Sequence, residues 1–82
     1  MKTKTNISKY YKSGEITPPF NSIMLVNQGT TNVNLNGFII APGEVFIDSG
    51  TEGEINETLY KFSFEGVGVN RLIAFVKKFI NV

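Results

Sequence analysis

The chain of 82 residues contains no cysteine, no histidine and no tryptophan. Without histidine there is no imidazole base, proton shuttle or nitrogen ligand for a metal, and without cysteine there is no thiolate nucleophile, zinc knuckle or disulfide. Charge is scarce too. Charged residues make up 18% of the chain, below the roughly 25% usual for soluble domains, and eight basic residues nearly cancel seven acidic ones. No apolar run approaches the ~18 residues of a membrane span, and no apolar core follows the basic start, as a secretory signal requires. The sequons at Asn6-Ile7-Ser8 and Asn56-Glu57-Thr58 read as chance matches in a chain rich in Asn and Thr.

Uncharged polar groups take the place of the missing charge: 22 residues are Asn, Gln, Ser or Thr. A surface of that kind resembles an interface more than the exterior of a free monomer, whose solubility rests on charge. Size points the same way, because a folded chain of this mass exposes roughly 4,900 Å² and has only a marginal core.

Residues 1–20 differ from the remainder. Lys2, Lys4, Lys9 and Lys12 against Glu15 give this segment +3, while residues 21–82 carry −2. Pro18-Pro19 predicts an extended, polyproline-like path over Thr17 to Phe20. The expectation is therefore a basic N-terminal arm, 1–20, preceding a single β domain, 21–82. Lys2, Lys4, Lys9, Tyr10, Tyr11, Lys12 and Phe20 are its candidate interaction residues. Ile7, Tyr10, Tyr11, Ile16 and Phe20 are too many large apolar groups for a solvated tail, so the arm is expected to dock on a neighbouring subunit. Its removal is expected to leave the β domain folded.

The rest reads as short strands between turns. Ser22 to Asn27 is a compact apolar run closed by Gln28-Gly29, as in a buried strand. Thr31 to Asn36 alternates strictly, with Val33 and Leu35 on one face. Asn36-Gly37 tolerates the two positive φ angles of a type I′ hairpin turn, and Phe38-Ile39-Ile40 returns. Ala41-Pro42-Gly43-Glu44 fits a type II turn leading into Val45-Phe46-Ile47. Two tight reversals in succession predict an antiparallel meander, with Asn36, Gly37, Pro42 and Gly43 as structural turn residues. Asp48 to Asn56 is a surface loop, and Thr58, Tyr60, Phe62 and Phe64 form an apolar strand face pointing into the core. Residues 71–82 fit either a helical stripe or a strand buried on both sides, and the β context favours the strand. The expected fold is all-β: a small antiparallel sandwich or barrel of five to seven strands with an extended arm.

Chemistry is hard to place on these residues. The acids Glu44, Asp48, Glu52, Glu54 and Glu57 cluster, yet lack the ligand order of a calcium loop. Gly66-Val67-Gly68-Val69-Asn70-Arg71 starts like a dinucleotide fingerprint and puts Arg71 where the third glycine belongs. The serines have no histidine partner. No catalytic residue, cofactor or metal is expected, and the chain reads as a non-enzyme. Lysines interleaved with Tyr10 and Tyr11 suggest single-strand binding, but +3 without arginine is a weak footprint.

Residues 26–46, with Asn27-Gln28-Gly29, Val33-Asn34-Leu35-Asn36-Gly37 and Pro42-Gly43-Glu44, resemble a phrase of small bacteriophage virion proteins, capsid decoration and tail components among them. The run Asn70-Arg71-Leu72-Ile73 followed by lysines is similar to the closing strand of such modules. The resemblance implies a compact β-sandwich with a structural role in the virion, capsid-associated or at a vertex, assembled in the host cytoplasm. Its subunits would associate with one another or with other virion proteins, without membrane and without nucleic acid as the main partner. The alternative expectation is a binding module for glycan or protein, and the third a nucleic-acid-binding protein acting through the Lys/Tyr arm.

Overall fold

A computed structural model describes residues 2–80. Eight strands run in chain order as β1 Lys2–Tyr10, β2 Gly14–Ile16, β3 Ser22–Asn27, β4 Asn32–Leu35, β5 Phe38–Ile40, β6 Val45–Asp48, β7 Tyr60–Glu65 and β8 Leu72–Ile80. Of residues 71–82, Leu72–Ile80 form a strand, with Asn81 and Val82 outside the described residues. Residues 21–82 supply six strands, within the five to seven expected, and the segment read as an arm adds β1 and β2.

Two four-stranded sheets form, the first in the order β1-β8-β3-β6 and the second in the order β2-β7-β4-β5. Every strand pairing is antiparallel. The pairs β1 with β8, β2 with β7, β3 with β6 and β4 with β5 are those of one long hairpin, its tip at Asn36-Gly37, rolled until it meets itself. Between the β2/β7 and β3/β6 pairings, Phe20 and Asn56 continue the hairpin with reciprocal backbone hydrogen bonds of 3.2 and 2.7 Å. This strand order is the jelly roll.

Alternation in sequence becomes alternation in space. Ile23 and Leu25 of β3, Leu72, Ala74 and Val76 of β8, Val33 and Leu35 of β4, and Tyr60 and Phe62 of β7 close the core between the sheets. Tyr10 adds an edge-to-face contact to Phe62 at 4.9 Å. The hairpin tip follows its residues: Asn36 has φ 48 and Gly37 φ 93, as a type I′ turn requires. Asn36 also reaches β7, donating to the Leu59 carbonyl at 3.1 Å and accepting from the Lys61 amide at 2.8 Å.

Three sequence expectations change. First, the Ala41–Glu44 turn forms, with Gly43 at φ 85 and Glu44 N–H donating to the Ala41 carbonyl at 2.9 Å, but it is no link in a meander. It carries the chain from β5 in the second sheet to β6 in the first, and Asn27 binds both sides of the crossing. Asn27 is fully buried. Its side-chain amide donates to the Thr31 and Ile40 carbonyls, both at 2.8 Å, and its Oδ1 accepts from the Gly29 amide at 3.0 Å. Its backbone takes the chain just past the turn, through Glu44 O at 3.1 Å and Gly43 N at 2.8 Å. One residue at the end of β3 therefore ties the first sheet to the end of β5 in the second.

Second, the Pro18-Pro19 peptide is cis, so Thr17 to Phe20 is not a continuous polyproline path. Third, residues 2–16 lie on the chain's own sheets. β1 pairs with β8 over nine residues, β2 pairs with β7, and Ile16 and Phe20 are 4% and 0% exposed. The apolar groups that were too many for a tail find their cover within the chain, apart from Ile7 and Tyr11.

The loop 66–71 packs on the turn 28–31 through Thr30 N to Val69 O at 2.8 Å and Thr31 Oγ1 to Asn70 Oδ1 at 2.7 Å. Gly29 permits this approach, since a Cβ there would run into the Val69 carbonyl. The molecule measures 43 × 20 × 18 Å. Its long axis reflects the β1/β8 ribbon: β3 starts at Ser22, opposite Lys77, so Lys78 to Ile80 pair with Lys2 to Lys4 alone.

Candidate interaction surface

The seven expected arm residues do not gather on one surface. Phe20 is in the core and Tyr10 packs against Phe62. Lys2 and Lys4 sit on the ribbon, Lys4 directly opposite Lys78. Lys9 points to the other face of β1, and Tyr11 and Lys12 lie in the connection to β2, exposed. Tyr10, Tyr11, Lys9, Lys12 and Glu15 do line one open hollow of about 450 Å³. Of the four turn residues, Asn36, Gly37 and Gly43 take positive φ angles, and the turn holding Pro42 and Gly43 joins the two sheets rather than neighbouring strands of a meander.

The acidic cluster also disperses. Asp48 Oδ2 accepts from Asn56 Nδ2 at 2.8 Å and from the Tyr60 hydroxyl, which ties the 49–59 loop to the core. Burial, the hydrogen bond to Asp48 and the negative charge of Asp48 push the Tyr60 hydroxyl up to about 12. Glu44 is engaged in its own turn, accepting from the Ala41 amide at 2.8 Å. Among the described residues no three His, Cys, Asp or Glu side chains stand close enough to hold a metal ion. A hollow between Thr3, Asn21, Gly50, Glu52 and Lys77 measures about 230 Å³, under the ~300–1,000 Å³ of small-molecule sites.

The surface that stands out is the outside of the first sheet. Because paired residues share a face, the register places Ile7, Phe75, Met24 and Ile47 in one row across all four strands. The next row is Lys9, Ile73, Val26 and Val45, and the row on the other side is Thr5, Lys77 and Ser22. Seven of these eleven side chains are aliphatic, aromatic or thioether, two are lysines, and none is acidic. Ile7 and Ile47, at the row's two ends, are each 63% exposed and Val45 is 50% exposed. Phe38 and Ile39 of β5, 65% and 50% exposed, line a hollow with Glu44, Val45 and Phe46.

Sequence reading missed this face while holding its signal. Both β3 and β8 are apolar on successive residues, the pattern of strands covered on both sides. Only one side of each is covered by the second sheet. Comparison with protein-family models, with curated proteins and with solved structures finds no match to this chain.

Proposed function

We propose that the chain is a non-enzymatic structural component of a bacteriophage particle, a capsid-associated or vertex protein that assembles through the outside of its first sheet and its sheet edges. The observation that carries the reading is the apolar row Ile7, Phe75, Met24 and Ile47 on the face away from the second sheet, exposed at its two ends and half-buried at Phe75 and Met24. Protein–protein interaction sites are among the places where exposed apolar patches occur. The jelly roll adds support, since capsid proteins are among the proteins built on it, and so does the likeness of residues 26–46 to virion modules. Fold alone leaves lectin-like uses beside capsid ones.

The second reading, a binding module for glycan or protein, draws on the open hollow of about 450 Å³ lined by Tyr10 and Tyr11 together with Lys9, Lys12 and Glu15. The third, nucleic-acid binding, loses ground because the lysines point to different faces. The test is mass spectrometry of particles purified from the organism that encodes the chain. Recovery in stoichiometric amounts supports the virion role, and particles lacking the chain overturn it.

A further inference from the structure

We infer, independently of the virion reading, that Asn36 is a deamidation site held silent by the fold, and that its conversion releases the hairpin tip from β7. Asn36-Gly37 is the one Asn-Gly pair in the sequence. Glycine after asparagine leaves the attacking backbone nitrogen least crowded, since it has no side chain. In the reaction the Gly37 nitrogen bonds to the Asn36 side-chain carbonyl carbon, and its proton leaves with the side-chain amide as ammonia. A succinimide ring remains. Water then breaks one of the two carbon–nitrogen bonds of the ring. At the side-chain carbonyl this leaves aspartate; at the main-chain carbonyl it leaves isoaspartate, with the backbone rerouted through the side chain. Water is the only other reactant.

Both reacting groups are engaged in the folded chain. The Gly37 N–H, which must be given up, donates to Asn34 Oδ1 at 2.9 Å. The Asn36 side chain, which must turn back onto its own main chain, spans to β7 instead. Its Nδ2 donates to the Leu59 carbonyl at 3.1 Å and its Oδ1 accepts from the Lys61 amide at 2.8 Å. The Asn36 backbone N–H adds a third bond to β7, to the Lys61 carbonyl at 3.0 Å. The side-chain bonds lie at the surface, so the protection comes from the hydrogen bonds and not from exclusion of water. Ring closure therefore waits on a local opening of the tip, and its rate follows the population of that open form.

The products cannot resume these contacts. An ionised aspartate has no N–H, so the bond to the Leu59 carbonyl is lost and a carboxylate faces a carbonyl oxygen. Isoaspartate lengthens the main chain between Leu35 and Phe38, which pair across the turn, and a two-residue type I′ connection has no place for the extra atom. Conversion is thus a one-way step that loosens the tip of β4 and β5 from β7.

The test incubates the full chain at mildly alkaline pH, folded in buffer and unfolded in urea, and reads Asn36 by peptide mass spectrometry. The folded chain is expected to convert at least about a hundredfold more slowly, the ratio that a tip opening of about 2.7 kcal/mol imposes. Equal rates overturn the protection. An unfolded chain that converts no faster at Asn36 than at its other asparagines overturns the site. Asn34→Ala frees the Gly37 N–H and is expected to raise the folded rate by at least about threefold, with circular dichroism confirming the β fold. An unchanged rate in a folded Asn34→Ala chain overturns the part given to Asn34. Asn36→Asp, the aspartate product made directly, is expected to melt at least about 4 °C below the unmodified chain, and a melt no lower overturns the release of the tip.

Discussion

On the outside of the first sheet, Ile7, Phe75, Met24 and Ile47 cross four strands without a polar side chain. On the outside of the second, the corresponding positions are Glu15 beside Lys61, Asn34 beside Ser63, and Asn32 beside Glu65, with Ile39 alone at the β5 edge. Asn34 Nδ2 even donates to Glu65 Oε2 at 3.2 Å across that face. Both sheets contribute to one core, so burial within the chain does not explain the difference. The second sheet has the exterior of an ordinary solvated antiparallel sheet, polar outward and apolar inward. The first is apolar on its outer side as well, and that difference is the basis of the assembly proposed for it.

The comparison can be broken or sharpened by substitution. The largest effect is expected from removing residues 1–20, which takes an edge strand from each sheet and Ile16 and Phe20 from the core. The product should show no cooperative thermal transition, because both sheets lose cover together. A folded product would mean that the sandwich stands without them. Next comes Asn27→Ala. It strands the Gly29 amide and the Thr31 and Ile40 carbonyls in a buried place, at about 4 kcal/mol, measured by urea unfolding. A loss under about 1 kcal/mol would show that the two sheets are held together without this staple.

A smaller effect distinguishes the two exteriors directly. Met24→Lys on the first sheet should reduce self-association while changing the unfolding free energy of the monomer by less than about 1 kcal/mol. Ser63→Lys on the second should change neither by more than about 0.5 kcal/mol. The smallest is a pH effect inside the core. Tyr60, raised from its ordinary 10.0 to about 12, favours the folded state fully below about pH 10 and loses that contribution as the pH rises through about 12, since the unfolded chain ionises first. Thermal melts from pH 9 to 12 should fall more steeply for the unmodified chain than for Tyr60→Phe. Parallel slopes would contradict the buried hydroxyl.

Much of the fold was legible because turn chemistry is local. Asn36-Gly37 and Pro42-Gly43 declare their φ values in two residues, and the strict alternation of Val33 and Leu35 declares a face. The sheet switch after Ile40 was not legible, since the contacts that accompany it join distant residues, as where Asn27 reaches the Ile40 carbonyl 13 residues on. Composition separated residues 1–20 from the remainder by charge, but charge says nothing of where an extended segment finds its partner strand. The interaction surface was half legible: the two-sided apolar character of residues 23–26 and 72–76 was visible, whereas which side the second sheet would leave bare is a property of topology.

The most direct test is sedimentation equilibrium over a dilution series of the unmodified chain, Met24→Lys and Ser63→Lys. The account predicts reversible self-association of the unmodified chain and of Ser63→Lys, with Met24→Lys monomeric throughout. A monomer at every concentration for the unmodified chain, or association that survives Met24→Lys and is lost in Ser63→Lys, would contradict it.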